Sequence, residues 1–185
     1  MEKIKLKQPL FLCGMMGSGK STVGRELASV LEVDFHDLDS MIIEEAGMPI
    51  PKIFEQKGEQ WFRDLEQKLL IRESQKISGV MALGGGSLQN QRIVDHLKIY
   101  GWMIFLNVPE SVLLDRLSGD KNRPKLKQGK ENREELRKTI STLFEQRLQL
   151  YSQAQITVDT NSDSPGEIAE TILKKIKIYD GFNRR

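Results

Sequence analysis

Short apolar runs alternate along this chain with longer stretches of helical periodicity. Leu10–Cys13 is uniformly apolar and short, the pattern of a buried strand. Lys20–Leu31 follows, with Val23, Leu27, Val30 and Leu31 predicted on one buried helical face. Val33–Asp37 reads as a second strand, weakened by its charges. Helices are predicted over Ser40–Ala46, Lys52–Gln56 and Glu59–Ser74, with Pro49 and Pro51 breaking the first from the second. Val80–Leu83 is a third strand, ending in Gly84-Gly85-Gly86. Asn90–Lys98 is helical, Trp102–Val108 is the clearest buried strand, and Ser111–Leu117 is helical again. Ser118–Lys130 carries Gly119, Pro124 and Gly129 with Leu126 as its one apolar residue, and reads as a mobile loop. A long helix runs from near Arg133 towards Ala154, Ile156–Val158 is a fifth strand, and Pro165–Ile178 is a closing helix beyond which the tail is expected to fray. Strands alternating with helices imply a parallel sheet covered on both faces, a three-layer α/β/α arrangement with right-handed crossovers. No repeat, low-complexity tract or linker divides the chain, so residues 1–185 are expected to form one α/β domain.

Composition narrows the function. The chain has 185 residues, 28 Lys+Arg and 26 Asp+Glu, a net charge of +2. With 38% hydrophobic residues it is no charged disordered polymer, and so balanced a charge excludes nucleic-acid binding by bulk electrostatics. The one cysteine, Cys13, excludes an internal disulfide, and with His36 and His96 it makes no zinc spacing. Lys3, Lys5 and Lys7 before Pro9–Cys13 imitate a signal peptide, but the apolar run is too short and leads straight into a glycine-rich motif. No stretch approaches the roughly 20 apolar residues a membrane span needs. A cytoplasmic protein without membrane or nucleic-acid partners is expected.

The glycine-rich motif, Gly14-Met15-Met16-Gly17-Ser18-Gly19-Lys20-Ser21, fits G-x-x-x-x-G-K-[ST] and lies between a strand and a helix. There the backbone amides and the helix N-terminus face an anion, Lys20 reaches outer phosphates and Ser21 is placed to ligate Mg²⁺. Cys13, just before it, reads as a small buried strand residue. Trp61, Trp102 and the methionines read as core.

Other candidate residues are less self-evident. Asp37 and Asp39 stand two apart at the predicted strand end, so their side chains should leave on one side, at the edge where parallel sheets bind ligands. One carboxylate there suits a metal held through water and the other an acceptor hydroxyl; capping of the next helix is the alternative. Gly84–Gly86 fits either a backbone floor for a ligand or a tight turn. Glu66, one turn after Arg63, could fix that guanidinium for bidentate capture of an anion, or the two could form a solvated pair. Arg123-Pro124 lies among five basic residues between Lys121 and Lys130, either a solvated run or a lid over a triphosphate. Arg147 shares a helix face with Tyr151 and says little alone.

Taken in order, these segments resemble the shikimate kinases, in the nucleoside-monophosphate-kinase-like branch of the P-loop fold. The likeness runs from Phe11 to about Ile172 and rests on Gly14–Thr22, Asp37-Leu38-Asp39, Gly58-Glu59 through Phe62-Arg63, Gly84–Gly86, Arg123-Pro124, Arg147 through Tyr151, and Val158-Asp159-Thr160-Asn161. The resemblance implies a P-loop kinase fold, a five-stranded parallel sheet of order 2-3-1-4-5 with a mobile lid at about 118–130. It implies transfer of the ATP γ-phosphate to the 3-hydroxyl of shikimate, a step of aromatic amino-acid (chorismate) biosynthesis. Asp39 would bind the reacting hydroxyl, with Lys20 and Arg123 also catalytic. Gly17, Ser18, Gly19, Lys20, Ser21, Thr22, Arg116 and Arg123 would bind the nucleotide, Arg116 lying against adenine. Ser21 and Asp37 would serve Mg²⁺. Arg63 and Arg147 would grip the carboxylate, Gly84, Gly85 and Gly86 would line the ring, and Phe54 and Phe62 would wall the pocket. A monomer is expected. Lys125 stands where the family usually has an apolar residue, and Ser162-Asp163-Ser164 lacks a basic residue often found near adenine. Rival readings are a kinase for another acceptor such as gluconate, a nucleotide-binding switch without transfer, and an RNA-binding module using Lys121–Lys130. The triple glycine and Gly-Glu-x-x-Phe-Arg pattern argue against the first, Asp39, Arg63 and Arg147 against the second, and the absence of aromatics in the basic run against the third.

Overall fold

The computed structural model describes residues 6–118, 133–161 and 163–182, the last four by backbone alone. Five strands, β1 (Leu10–Cys13), β2 (Asp34–Asp37), β3 (Gly79–Ala82), β4 (Trp102–Asn107) and β5 (Ile156–Asp159), form one sheet of order β2-β3-β1-β4-β5. Every pairing is parallel, with Leu10 opposite Val80 on one side and Trp102 on the other. This is the order the resemblance implies, and it puts β1 and its phosphate loop at the centre.

All four residues of β1 are buried because both faces of the sheet are covered. Alternation sends Leu10 and Leu12 to one layer, with Val80, Ile104 and Leu106. There they meet α1 (Lys20–Leu31) and α8 (Pro165–Phe182) through Val23, Leu27, Ile168 and Ile172. Phe11 and Cys13 face the opposite layer with Met81, Met103 and Phe105. That layer holds α2 (Leu38–Ala46), α3 (Ile50–Gln56), α4 (Gly58–Ser74), α5 (Gln91–Tyr100), α6 (Glu110–Leu117) and α7 (Arg133–Tyr151). No described helix is long and apolar enough to cross a membrane.

Several expectations need correcting. Val30 is 52% exposed and Trp61 39% exposed, so neither is core, whereas Trp102 is buried as expected. Pro51 does not break a helix: it occupies the first turn of α3, where its missing N–H has no partner to lose. Helix α2 begins at Leu38, not Ser40, because Asp37 is its cap. Helix α7 ends at Tyr151, and α8 continues past Ile178 to Phe182. Of the predicted loop over 118–130 only Ser118 is among the described residues; Arg123, Lys125 and the basic run lie outside them.

Candidate active site

The phosphate loop owes its path to Gly14, Gly17 and Gly19, whose φ values of 140°, 78° and 88° few other residues adopt. A Cβ on Gly14 would stand 2.7 Å from the Leu106 carbonyl, so the loop lies hard against β4. Gly19 caps α1 without a side chain, and the first-turn amides open towards the cleft. Lys20 is buried, its Nζ donating to the carbonyls of Gly14 at 2.9 Å and Met15 at 2.8 Å. Ser21 donates its hydroxyl to Asp37 Oδ2 at 2.6 Å, while Asp37 Oδ1 accepts from the Ser40 amide and caps α2. The capping alternative for Asp37 is thus realised, while its second oxygen is held by Ser21. Asp39 belongs to the first turn of α2 rather than to a strand end, so strand alternation does not orient it. It nonetheless reaches the same cleft, as does Asp37. Arg116 arrives from α6 and donates to the Gly17 carbonyl at 3.1 Å.

The triple glycine is explained by crowding. A Cβ on Gly84 would stand 2.8 Å from Glu66 Oε1 and 2.9 Å from Asp39 Oδ1. On Gly85 it would stand 2.9 Å from the Met16 amide nitrogen, and on Gly86 2.9 Å from the Arg63 guanidinium. Three separate segments, α2, α4 and the phosphate loop, thus press on one piece of backbone that has room for no side chain. Arg63 is locked from several sides: its Nη1 donates to Glu66 Oε2 at 2.5 Å and its Nε lies 3.5 Å from Glu59. Glu66 is itself buried and also accepts from Ser87 Oγ at 2.8 Å and Gln89 Nε2 at 3.2 Å. The solvated-pair alternative for Arg63–Glu66 is thereby excluded. The Arg63 guanidinium also lies over the Phe62 ring, which packs on Phe54 with centroids 4.8 Å apart.

One cleft of about 420 Å³ gathers Gly17–Thr22, Asp37, Asp39, Gly85 and Arg116, within the usual size of ligand sites. Arg63, Arg147, Gly84 and Gly86 are not on its wall. They stand just behind it, Arg63 against Gly86 and Arg147 with Nη1 3.8 Å from the sulfur of Met15. The wall also includes Leu83, Pro165 and Ile168, which sequence reasoning did not select as site residues, and Asp163, from the segment the resemblance sets near adenine. A usable signal for Asp163 was its place just past the carboxyl end of β5. Among the described residues no cluster of three or more His, Cys, Asp or Glu is placed to hold a metal. Burial pushes the Cys13 thiol up to about 12, which makes it inert beside the phosphate loop.

An anion cradle and a carboxylate pair sharing one cleft at the carboxyl edge of this sheet serve phosphoryl transfer, and the class is that of the P-loop kinases. The family model described as shikimate kinase matches residues 16–177. A shikimate kinase of Sulfurihydrogenibium is 42% identical over 168 residues, covering 91% of this chain and 97% of that protein. The shikimate kinase of Acinetobacter baumannii, solved in complex with shikimate, superposes with a TM-score of 0.86 at 34% identity, covering 93% and 94% of the two chains. A Sinorhizobium meliloti gluconokinase, at a TM-score of 0.60 and 17% identity over 98% and 100% of the chains, shares the fold alone. The chain belongs to the shikimate kinase family. ATP is its co-substrate.

Proposed function

We propose that this chain transfers the γ-phosphate of ATP to the 3-hydroxyl of shikimate, giving shikimate 3-phosphate and ADP. The observation that carries the reading is Arg63, held by the buried Glu66 at the glycine loop that also meets Asp39. That places a guanidinium held in a fixed orientation near a carboxylate suited to a hydroxyl, the pair of groups a hydroxy acid requires.

In this reading Gly17–Thr22 cradle the phosphates with backbone amides, and Lys20 exchanges its bonds to the Gly14 and Met15 carbonyls for phosphate oxygens. Asp39 orients the acceptor hydroxyl and takes its proton as the oxygen attacks. Arg63 and Arg147 bind the carboxylate, Phe54 and Phe62 wall the ring, Gly84–Gly86 run along it and Arg116 lies against the base. Arg123 is assigned to the transferring phosphoryl group on the resemblance alone. A hydroxyl and a carboxylate, Ser21 and Asp37, form a hard-oxygen pair that fits Mg²⁺, which binds through few protein ligands and substrate phosphates. Mg²⁺ bound there would neutralise phosphate charge. Residues 1–185 form one catalytic domain acting as a cytoplasmic monomer, without nucleic-acid or membrane partners.

ADP release coupled to a spectroscopic readout, run with shikimate, with gluconate and with no acceptor, tests the reading. Turnover is expected with shikimate alone. Equal turnover with gluconate would overturn the acceptor assignment, and acceptor-independent hydrolysis at the same rate would overturn transfer itself.

A further inference from the structure

Gly85 and Gly86 present consecutive backbone carbonyls to two different helices. Arg63, on α4, donates from Nη1 to the Gly86 carbonyl at 3.4 Å. Tyr151, the last residue of α7, donates its hydroxyl to the Gly85 carbonyl at 2.5 Å. Arg147 stands one turn earlier on the same face of α7. Its Nη1 lies 3.8 Å from the Met15 sulfur, and the Tyr151 hydroxyl lies 3.9 Å from that same sulfur. Both acceptor-directed arginines are therefore referenced to one short length of backbone, Arg63 directly and Arg147 through Tyr151.

Packing alone does not call for the hydroxyl. The Tyr151 ring is buried and stacked on Phe105 with centroids 5.2 Å apart, an arrangement phenylalanine would keep. What the oxygen adds is a short hydrogen bond to a carbonyl on the cleft wall, beside its longer contact with the Met15 sulfur. Burial pushes the phenol further up from a value already well above neutral, so the hydroxyl is a donor throughout the neutral range. Gly85 is pressed from its other side by the Met16 amide, so the loop is held between the phosphate loop and α7.

We propose that Tyr151 is a positioning residue whose bond to Gly85 sets the separation of Arg147 from Arg63, and with it the fit of the acceptor carboxylate between them. This rests on the reaction proposed above. Steady-state kinetics of the full chain, Tyr151→Phe, Arg147→Ala and the double variant test it. Losing one buried hydrogen bond should raise KM for shikimate roughly three- to tenfold. KM for ATP should stay within about twofold of the parent, since no nucleotide ligand is moved. Added to Arg147→Ala, the Tyr151 change should cost less than about twofold more, because its effect passes through Arg147. Ile172→Val, in the core of the opposite layer, should lower Tm with both KM values unchanged.

Unchanged KM for shikimate in Tyr151→Phe, equal rises in both KM values, or full additivity with Arg147→Ala would each overturn the role. Should Tyr151→Phe not fold, fluorotyrosine in the parent supplies a second readout, with Tyr100 and Tyr179 replaced by phenylalanine. The ¹⁹F signal of Tyr151 should move on adding shikimate and stay fixed in Arg147→Ala; no movement in the parent overturns the proposal. A parent that fails to phosphorylate shikimate would remove the underlying reading, whereas normal parental turnover with an unaltered Tyr151→Phe removes only the positioning role.

Discussion

Asp39 and Arg63 divide the handling of the acceptor between a proton and a charge. Replacing Asp39 with Asn preserves shape and removes the basic oxygen, so ADP affinity should hold while kcat falls on the order of 10²–10⁴, the usual worth of a general base. Turnover within a few-fold of the parent, measured beside ADP titration, would assign the base elsewhere. Arg63→Lys keeps the charge but loses the fork that Glu66 holds in place. Hydrogen bonds to charged groups contribute about 1.5–3 kcal/mol each, so KM for shikimate should rise about tenfold or more with KM for ATP nearly unchanged. The methyl ester of shikimate should be a poor acceptor for the parent and lose little more in Arg63→Lys. Equal use of ester and acid by the parent would disprove carboxylate capture. Much of this site was legible before the fold was known. The phosphate loop carries its chemistry in its spacing, and Arg63–Glu66 are one helical turn apart. The reason for the three glycines was not legible, because Asp39, Met16 and the Arg63–Glu66 pair crowd them from three distant stretches of chain. Nor was the exposure of Trp61: aromatic character suggests burial, but only the packed neighbours decide it.

Helix ends show the same division. Helix α8 starts with a reciprocal cap: Glu167 N–H donates to Ser164 Oγ at 3.3 Å, and Glu167 Oε2 accepts from the Ser164 amide at 2.7 Å. The amide bond, and after it the Ser164 hydroxyl, hold the Glu167 carboxyl below its ordinary value of 4.5. A depressed carboxyl stabilises the fold fully above its unfolded pKa and loses that contribution as pH falls through the lower, folded one. The Tm gap between the parent and Glu167→Gln should therefore be constant above about pH 4.5 and close below it. A gap unchanged at pH 3 would mean the ionised carboxylate contributes nothing. Pro165 at the first helical position made this start readable in sequence. The start of α2 was misread, since charges over Asp34–Asp39 hide any period and Asp37 is at once a strand residue, a cap and the partner of Ser21. Val30 fits the apolar stripe of α1, yet a stripe read from one helix does not reveal how far its neighbour α8 covers it.

The α/β/α architecture was readable from the alternation of elements, because strands buried on both faces leave unbroken apolar runs and crossover helices leave periodic ones. The strand order was not contained in that pattern; only the ordered motifs and their family resemblance supplied it. With β1 at the sheet's centre, its two faces feed both apolar layers. Cys13 ends that strand, buried, and is the only thiol in the chain. Its position turns it into a clock for the whole fold. A thiol reagent cannot reach it until the sheet opens, so labelling of the native chain should follow the rate or population of unfolding. A ligand that binds only the folded state suppresses opening by the factor 1 + [L]/Kd, so ADP at a hundred times its Kd should slow labelling about a hundredfold. Near-identical labelling with and without saturating ADP would mean β1 is reached by a local opening that leaves the phosphate loop formed. The same stopwatch run with shikimate would measure acceptor affinity in a chain that has turned over nothing.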